Sequence, residues 1–70
     1  MTLLPEEIQP GWRVFDASGE ELGTVIGIDP DVIRIQRVGV MGGVWRAPLD
    51  SVREIETGRI ELGLTKEDLT

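Results

Sequence analysis

The chain predicts an all-β fold: a small, strongly bent antiparallel β-barrel of five to six strands with short helical caps at the termini. Three observations carry this. Seventy residues allow one domain with a small core. Nine glycines and four prolines punctuate short apolar runs at spacings of about ten residues, the rhythm of a small β protein. The intervals leave no room for a crossover helix, so consecutive strands pair antiparallel, and closure removes the exposed edges.

Each element follows from its residues. Residues 1–9 read as an N-terminal cap, with Pro5-Glu6-Glu7 suited to a first helical turn and Pro10-Gly11 ending it. Leu3, Leu4 and Ile8 are lids on a core. Residues 12–16 form the first strand, with Trp12 and Val14 on one face and Arg13 and Phe15 on the other. Asp16-Ala17-Ser18-Gly19-Glu20 is a turn, opened by Asp and finished by Gly.

Residues 22–28 form a second strand with faulty alternation: Leu22, Ile26 and Ile28 share one parity and Val25 has the other. With Gly23 and Gly27 inside the run, a bulge near Val25 brings it to the inner face. Asp29-Pro30-Asp31 turns the chain into a third strand, 32–37, with Ile33 and Ile35 inward and Arg34 and Gln36 outward. An apolar loop, 38–43, leads to a fourth strand, 44–49, with Trp45, Ala47 and Leu49 on one side. Its Pro48 marks an edge or a break. A corner, a short strand at 53–56, the Thr57-Gly58 turn and a last strand at 59–64 follow, with Ile60, Leu62 and Leu64 inward. Thr65-Lys66-Glu67-Asp68 is close to a capping box and starts at most one helical turn, with Leu69 folding back.

Composition excludes whole classes of chemistry. Without Cys there is no disulfide, thiol nucleophile or zinc knuckle, which fits a reducing compartment. Without His there is no catalytic triad and no imidazole ligand. Net charge is −6, from thirteen acids and seven bases, which disfavours a phosphate backbone as partner. No run approaches a membrane span, and the first residues lack the basic region of a targeting peptide, so a cytoplasmic location is expected.

The stretch Asp16-Ala17-Ser18-Gly19-Glu20-Glu21-Leu22-Gly23-Thr24-Val25 resembles the opening D-x-x-G-x-x-[IL]-G-x-V hairpin of PRC-barrel domains. Val44-Trp45-Arg46-Ala47-Pro48-Leu49-Asp50-Ser51-Val52 is similar to that family's hydrophobic-x-x-x-P-L-x-x-hydrophobic corner, and Ile55-Glu56-Thr57-Gly58-Arg59-Ile60 to its closing hairpin. The resemblance covers residues 10–65, leaving 66–70 as a tail, and extends to short stand-alone bacterial proteins of this pattern. It implies a bent β-barrel that contacts proteins and carries no catalytic motif. The family also occurs in a ribosome maturation factor and in the photosynthetic reaction-centre H subunit. Neither the former's RNA-associated domain nor the latter's membrane anchor is read in these seventy residues, so neither role is expected to carry over.

The most suggestive segment is Val38-Gly39-Val40-Met41-Gly42-Gly43 with Val44-Trp45-Arg46: Met beside Trp and Arg is the composition of an interface hot spot. Val40, Met41, Trp45 and Arg46 are therefore the candidate interaction residues. The competing reading makes Val40 and Met41 a plug and Trp45 core. Arg34, Arg37, Arg46 and Arg53 are candidates for one outer basic face, against ordinary cross-strand pairing with Glu. Asp29 and Asp31 lack the further ligands of a calcium loop, and Gly39-x-x-Gly42-Gly43 lacks the Lys-Ser/Thr of a phosphate loop. Ser18 and Ser51 have no His base. No catalytic residue, metal site, cofactor or small-molecule substrate is expected. The expected function is a non-catalytic protein-interaction adaptor, self-associating as a homodimer or binding a foreign protein. The alternative is a small SH3- or OB-like barrel that binds RNA or assists ribosome assembly.

Overall fold

A computed structural model describes residues 7–29, 31–38 and 42–69. Six strands form one sheet: β1 Arg13–Phe15, β2 Glu21–Ile28, β3 Val32–Arg37, β4 Val44–Pro48, β5 Val52–Glu56 and β6 Arg59–Leu62. Their order across the sheet is β4-β3-β2-β1-β6-β5. The inward residues are those the alternation assigns: Val14, Ile33, Ile35, Ala47, Ile60 and Leu62 have no exposed surface, and Ile8 and Leu69 pack on the same cluster.

The expected closed barrel is not what forms. β4 and β5 lie at opposite edges and no ladder joins them. Yet they are consecutive in sequence, separated only by the 3-10 turn Leu49–Ser51. A flat sheet of six strands would hold its edges roughly 24 Å apart, whereas the chain from Pro48 to Val52 spans at most roughly 15 Å. The sheet must therefore curl until its edges approach at this corner. Backbone hydrogen bonds hold the corner to both flanks. Leu49 N–H donates to Asp31 O (2.7 Å) on the β3 side, and Gly63 N–H donates to Ser51 O (2.7 Å) on the β6 side. The second bond turns the chain away after Leu62, so the last strand stops short of the expected Leu64.

The expected all-antiparallel pairing also fails once. β1 runs parallel to β6, with Val14 opposite Ile60. The chain passes through four other strands between these two, so no hairpin constrains their relative direction. Nor are there α-helical caps among the described residues. The C-terminal element is a single 3-10 turn, Lys66–Asp68, too short for α-helical bonding. Most of the expected N-terminal cap lies outside the described residues.

The faulty alternation of β2 resolves as two irregularities. Val25 faces Ile35 while Gly27 faces Arg34, so Ile26 is the extra residue and is pushed outward. A second shift against β1 skips Leu22. Parity changes at each bulge, and Leu22 and Val25 both reach the core.

The two β2 glycines have different reasons. A Cβ on Gly23, whose φ is +153°, would overlap the Gln36 carbonyl oxygen and come within 2.7 Å of the Gln36 carbonyl carbon. Neither backbone can yield, so β2 and β3 approach this closely only with Gly here. A Cβ on Gly27 would meet only the Arg34 Nη2, at 3.9 Å.

Asp16 ties the β1–β2 turn to the C-terminal segment. Its carboxylate is buried. Oδ1 accepts from Ser18 N–H (2.9 Å), Ser18 Oγ–H (2.7 Å) and Glu20 N–H (2.9 Å), and Oδ2 accepts from Lys66 N–H (3.2 Å). Burial pushes its pKa up, but the Ser18 hydroxyl and the amides of Glu20, Lys66 and Ser18 together outweigh burial and hold it below the ordinary 3.8. Ala17 N–H adds a bond to Leu64 O (2.9 Å), and Lys66 Nζ pairs with Glu20 at 2.7 Å. At the far side, Thr65 N–H donates to Asp68 Oδ2 (3.2 Å), half of the reciprocal pattern of a capping box.

Two predictions follow from these contacts. Gly23→Ala will cost about 3 kcal/mol or more, while Gly27→Ala will stay within about 1 kcal/mol; urea unfolding of the two variants checks both. Asp16 contributes stability above pH 3.8 and loses it as pH falls through its lowered folded-state value. The stability gap between the native chain and Asp16→Asn will therefore be constant from pH 7 to about 4 and shrink below that, as read by thermal melts across pH.

Candidate functional site

The seven bases sort by what their side chains meet. Arg13 pairs with Glu21 (3.2 Å), Arg53 with Glu61 and Lys66 with Glu20. Arg37 stacks its guanidinium 4.4 Å from the Trp45 ring centroid, and Arg59 lies 4.3 Å from that of Phe15. Only Arg34 and Arg46 have neither an acid nor a ring among the described residues. They face each other directly across the β3–β4 ladder, on the outer face. Neither strand contains an acid, so two like charges stand opposite each other without neutralisation.

The four arginines expected on one face divide. Arg34 and Arg46 share the outer face. Arg37 has the inner parity of Ile33 and Ile35 and leaves the core only because β3 ends there, which lets it cover Trp45. Arg53 sits at the register shift of β5, at the other edge of the sheet, where Glu61 neutralises it.

Of the candidate interaction residues, Trp45 is half-buried against the core and Arg46 is exposed. Val40 and Met41 lie outside the described residues. Among the described residues three large apolar side chains are exposed: Ile26 (38%), Val44 (47%) and Val38 (57%). All three belong to β2, β4 or the end of β3, the same side of the sheet as the unpaired arginines. Next to them, Glu21, Leu22, Arg37, Val38, Trp45 and Lys66 line a shallow depression of about 350 Å³.

The backbone of β4 completes the site. Arg37 N–H donates to Gly43 O (3.0 Å) and Leu49 N–H to Asp31 O. Antiparallel pairs alternate between bonded and non-bonded, so Trp45 and Ala47 bond inward to β3. Val44, Arg46 and Pro48 turn their polar groups outward. Pro48 has no N–H, and its carbonyl accepts from Ser51 Oγ–H (2.5 Å). Among the described residues no group meets the outward N–H and C=O of Val44 or Arg46.

Compared with family models, with curated proteins and with solved structures, the chain matches none.

Its chemistry therefore rests on its own geometry. Asp16, the one buried carboxylate among the described residues, spends its lone pairs on the turn and on Lys66 and offers nothing to a substrate. On the opposite side Glu54, Glu56, Arg59 and Glu61 line a small depression of about 200 Å³, where Arg53 pairs with Glu61. No group of three potential metal ligands occurs among the described residues. No described helix is long and apolar enough to cross a membrane. The adjacency of Arg34 and Arg46 was readable from sequence only on the condition that their strands pair. The free β4 edge needed the sheet order.

Like charges opposite each other on a ladder destabilise it. Arg46→Glu will raise stability by about 0.5 kcal/mol at low salt, and ~1 M NaCl will erase most of the gain; thermal melts at two ionic strengths check this.

Proposed function

We propose that the chain is a cytoplasmic, non-catalytic protein-contacting module of PRC-barrel type, whose contact surface is the β3–β4 end of the sheet. The observation that carries it is the grouping of exposed Val38 and Val44 with Arg34 and Arg46 on acid-free strands, in a chain with nearly twice as many acids as bases. Apolar residues ringed by arginine are the composition of a protein interface.

The family assignment draws support from the roles of the residues that carry the resemblance. Asp16 organises the first hairpin, Gly23 permits a close backbone approach, and Pro48-Leu49 leads into the corner that curls the sheet. Closure into a full barrel belongs to this proposal. The cysteine-free composition fits a reducing compartment.

RNA is the competing partner, favoured by Arg34 and Arg46 standing together. It is the weaker one. Single-stranded nucleic acid needs ring faces for stacking, and Trp45 has Arg37 over its ring and the core against it. Two arginines in a chain of net charge −6 also give little to a phosphate backbone.

A photo-crosslinking residue at Val38 will yield a discrete protein adduct in cells, and one at Glu56 on the opposite edge will not. An adduct of twice the 7.7 kDa chain mass identifies a second copy as the partner; a larger one identifies a foreign protein. Adducts to RNA, or equal adducts at both positions, would refute the proposal.

A further inference from the structure

Resting on that interaction surface, we infer that the outer edge of β4 accepts an extended acidic segment of another protein as an added strand, with a carboxylate opposite Arg46 and an apolar side chain opposite Val44.

The backbone supplies the docking edge. Val44 and Arg46 each turn one N–H and one C=O away from β3, and strand addition uses such an unsatisfied row. The site is short. Toward the chain's C-terminus Pro48 ends it, having no N–H and a carbonyl already held by Ser51. Four backbone bonds across three residues are the most the edge can make.

The side chains set the partner's chemistry. Successive residues of an added strand alternate between faces. The residues facing Val44 and Arg46 project onto the outer face and the one between them projects toward Trp45. A carboxylate opposite Arg46 meets it at direct cross-strand distance. Arg34 lies about 10 Å from the added strand, two strand spacings, a span that arginine and glutamate bridge together. The incoming acid thus neutralises the one pair of cations the chain itself leaves facing each other. The pattern recognised is apolar–any–acidic.

A second copy fits less well. Two β4 edges can pair about a two-fold axis at Trp45, with Val44 opposite the copy's Arg46. That arrangement gathers Arg34, Arg46 and their copies, four like charges, on one continuous face with no acid on either strand. The arginine pair also weakens the free protein. A local cost to stability with no compensating contact inside the chain is the mark of a residue held for binding.

The test uses the full chain and four probes: a ten-residue valine–glutamate peptide built on a repeated Val-Thr-Glu-Thr, which puts valine and glutamate in turn along one face, the same peptide with lysine for glutamate, oligoglutamate, and a twelve-nucleotide oligouridylate. Binding is followed by amide resonances and by fluorescence anisotropy. The valine–glutamate peptide is expected to bind with a dissociation constant of order 100 μM and to shift the Val44 and Arg46 amides. The lysine peptide and the oligouridylate should not bind. Val44→Pro removes an outward N–H that the β3 ladder does not use, and it should abolish binding with the melting temperature kept. Arg46→Glu should weaken binding at least tenfold while the fold gains stability.

The inference is overturned by no peptide binding, by affinity unchanged in both variants, by oligoglutamate binding that survives Val44→Pro, or by oligouridylate binding in place of the peptide. A dimer in the free protein with protected Val44 and Arg46 amides also overturns it, since a second copy would then fill the edge. A protein adduct at Val38 with no binding at β4 would leave the broader proposal standing and remove only this one.

Discussion

The two strands farthest apart in this sheet are joined by three residues. That mismatch between topology and tether length is the constraint on which the rest of the structure depends. The Leu49–Ser51 turn cannot reach across a flat sheet of six strands, so the sheet rolls and its inner face encloses Ile33, Ile35, Ile60 and Leu62. A chain of this size has no second layer to cover one face of a flat sheet, and rolling lets the sheet cover itself. The same turn leaves β4 and β5 unjoined. The roll that makes the core also creates the free edge.

Charge is distributed along the same seam. β5 and β6 carry three acids and two arginines, with the arginines tied to Glu61 and Phe15. β3 and β4 carry three arginines and no acid, and only Arg37 has a ring to rest on. A net charge of −6 therefore describes the chain but neither edge of its sheet. The acidic side favours solubility, while the cationic side bears the exposed valines.

What the sequence made legible was local. The alternation of Ile33-Arg34-Ile35-Gln36 places these four side chains of β3 on the correct face, and the broken alternation of β2 marks the bulge that exposes Ile26. What it concealed was relational. Parallel pairing of β1 with β6 joins segments more than forty residues apart, and periodicity carries no trace of it. Asp16 reads as an ordinary turn residue, and nothing near it in sequence indicates that Lys66, fifty residues on, completes its coordination. The basic patch failed for a similar reason. Strand-end position sends Arg37 to Trp45 and a bulge sends Arg53 to Glu61, while Arg34 and Arg46 meet because their strands are neighbours. Of the candidate hot spot, Trp45 is placed as a half-buried flank of the core and Arg46 as an exposed edge residue.

Pro48 has a consequence beyond ending a strand. A free β edge is a template, and an unbroken one can recruit strand after strand into an insoluble stack. Here the proline lacks a donor and Ser51 occupies its acceptor, so among the described residues the open ladder of β4 is confined to Val44 and Arg46. Stacking depends on long, regular, uncharged pairing. An edge two residues long, with a charge on one of them, is too short and too charged to seed a fibre. The protein can keep a side of its sheet unsealed without the aggregation that open edges ordinarily invite.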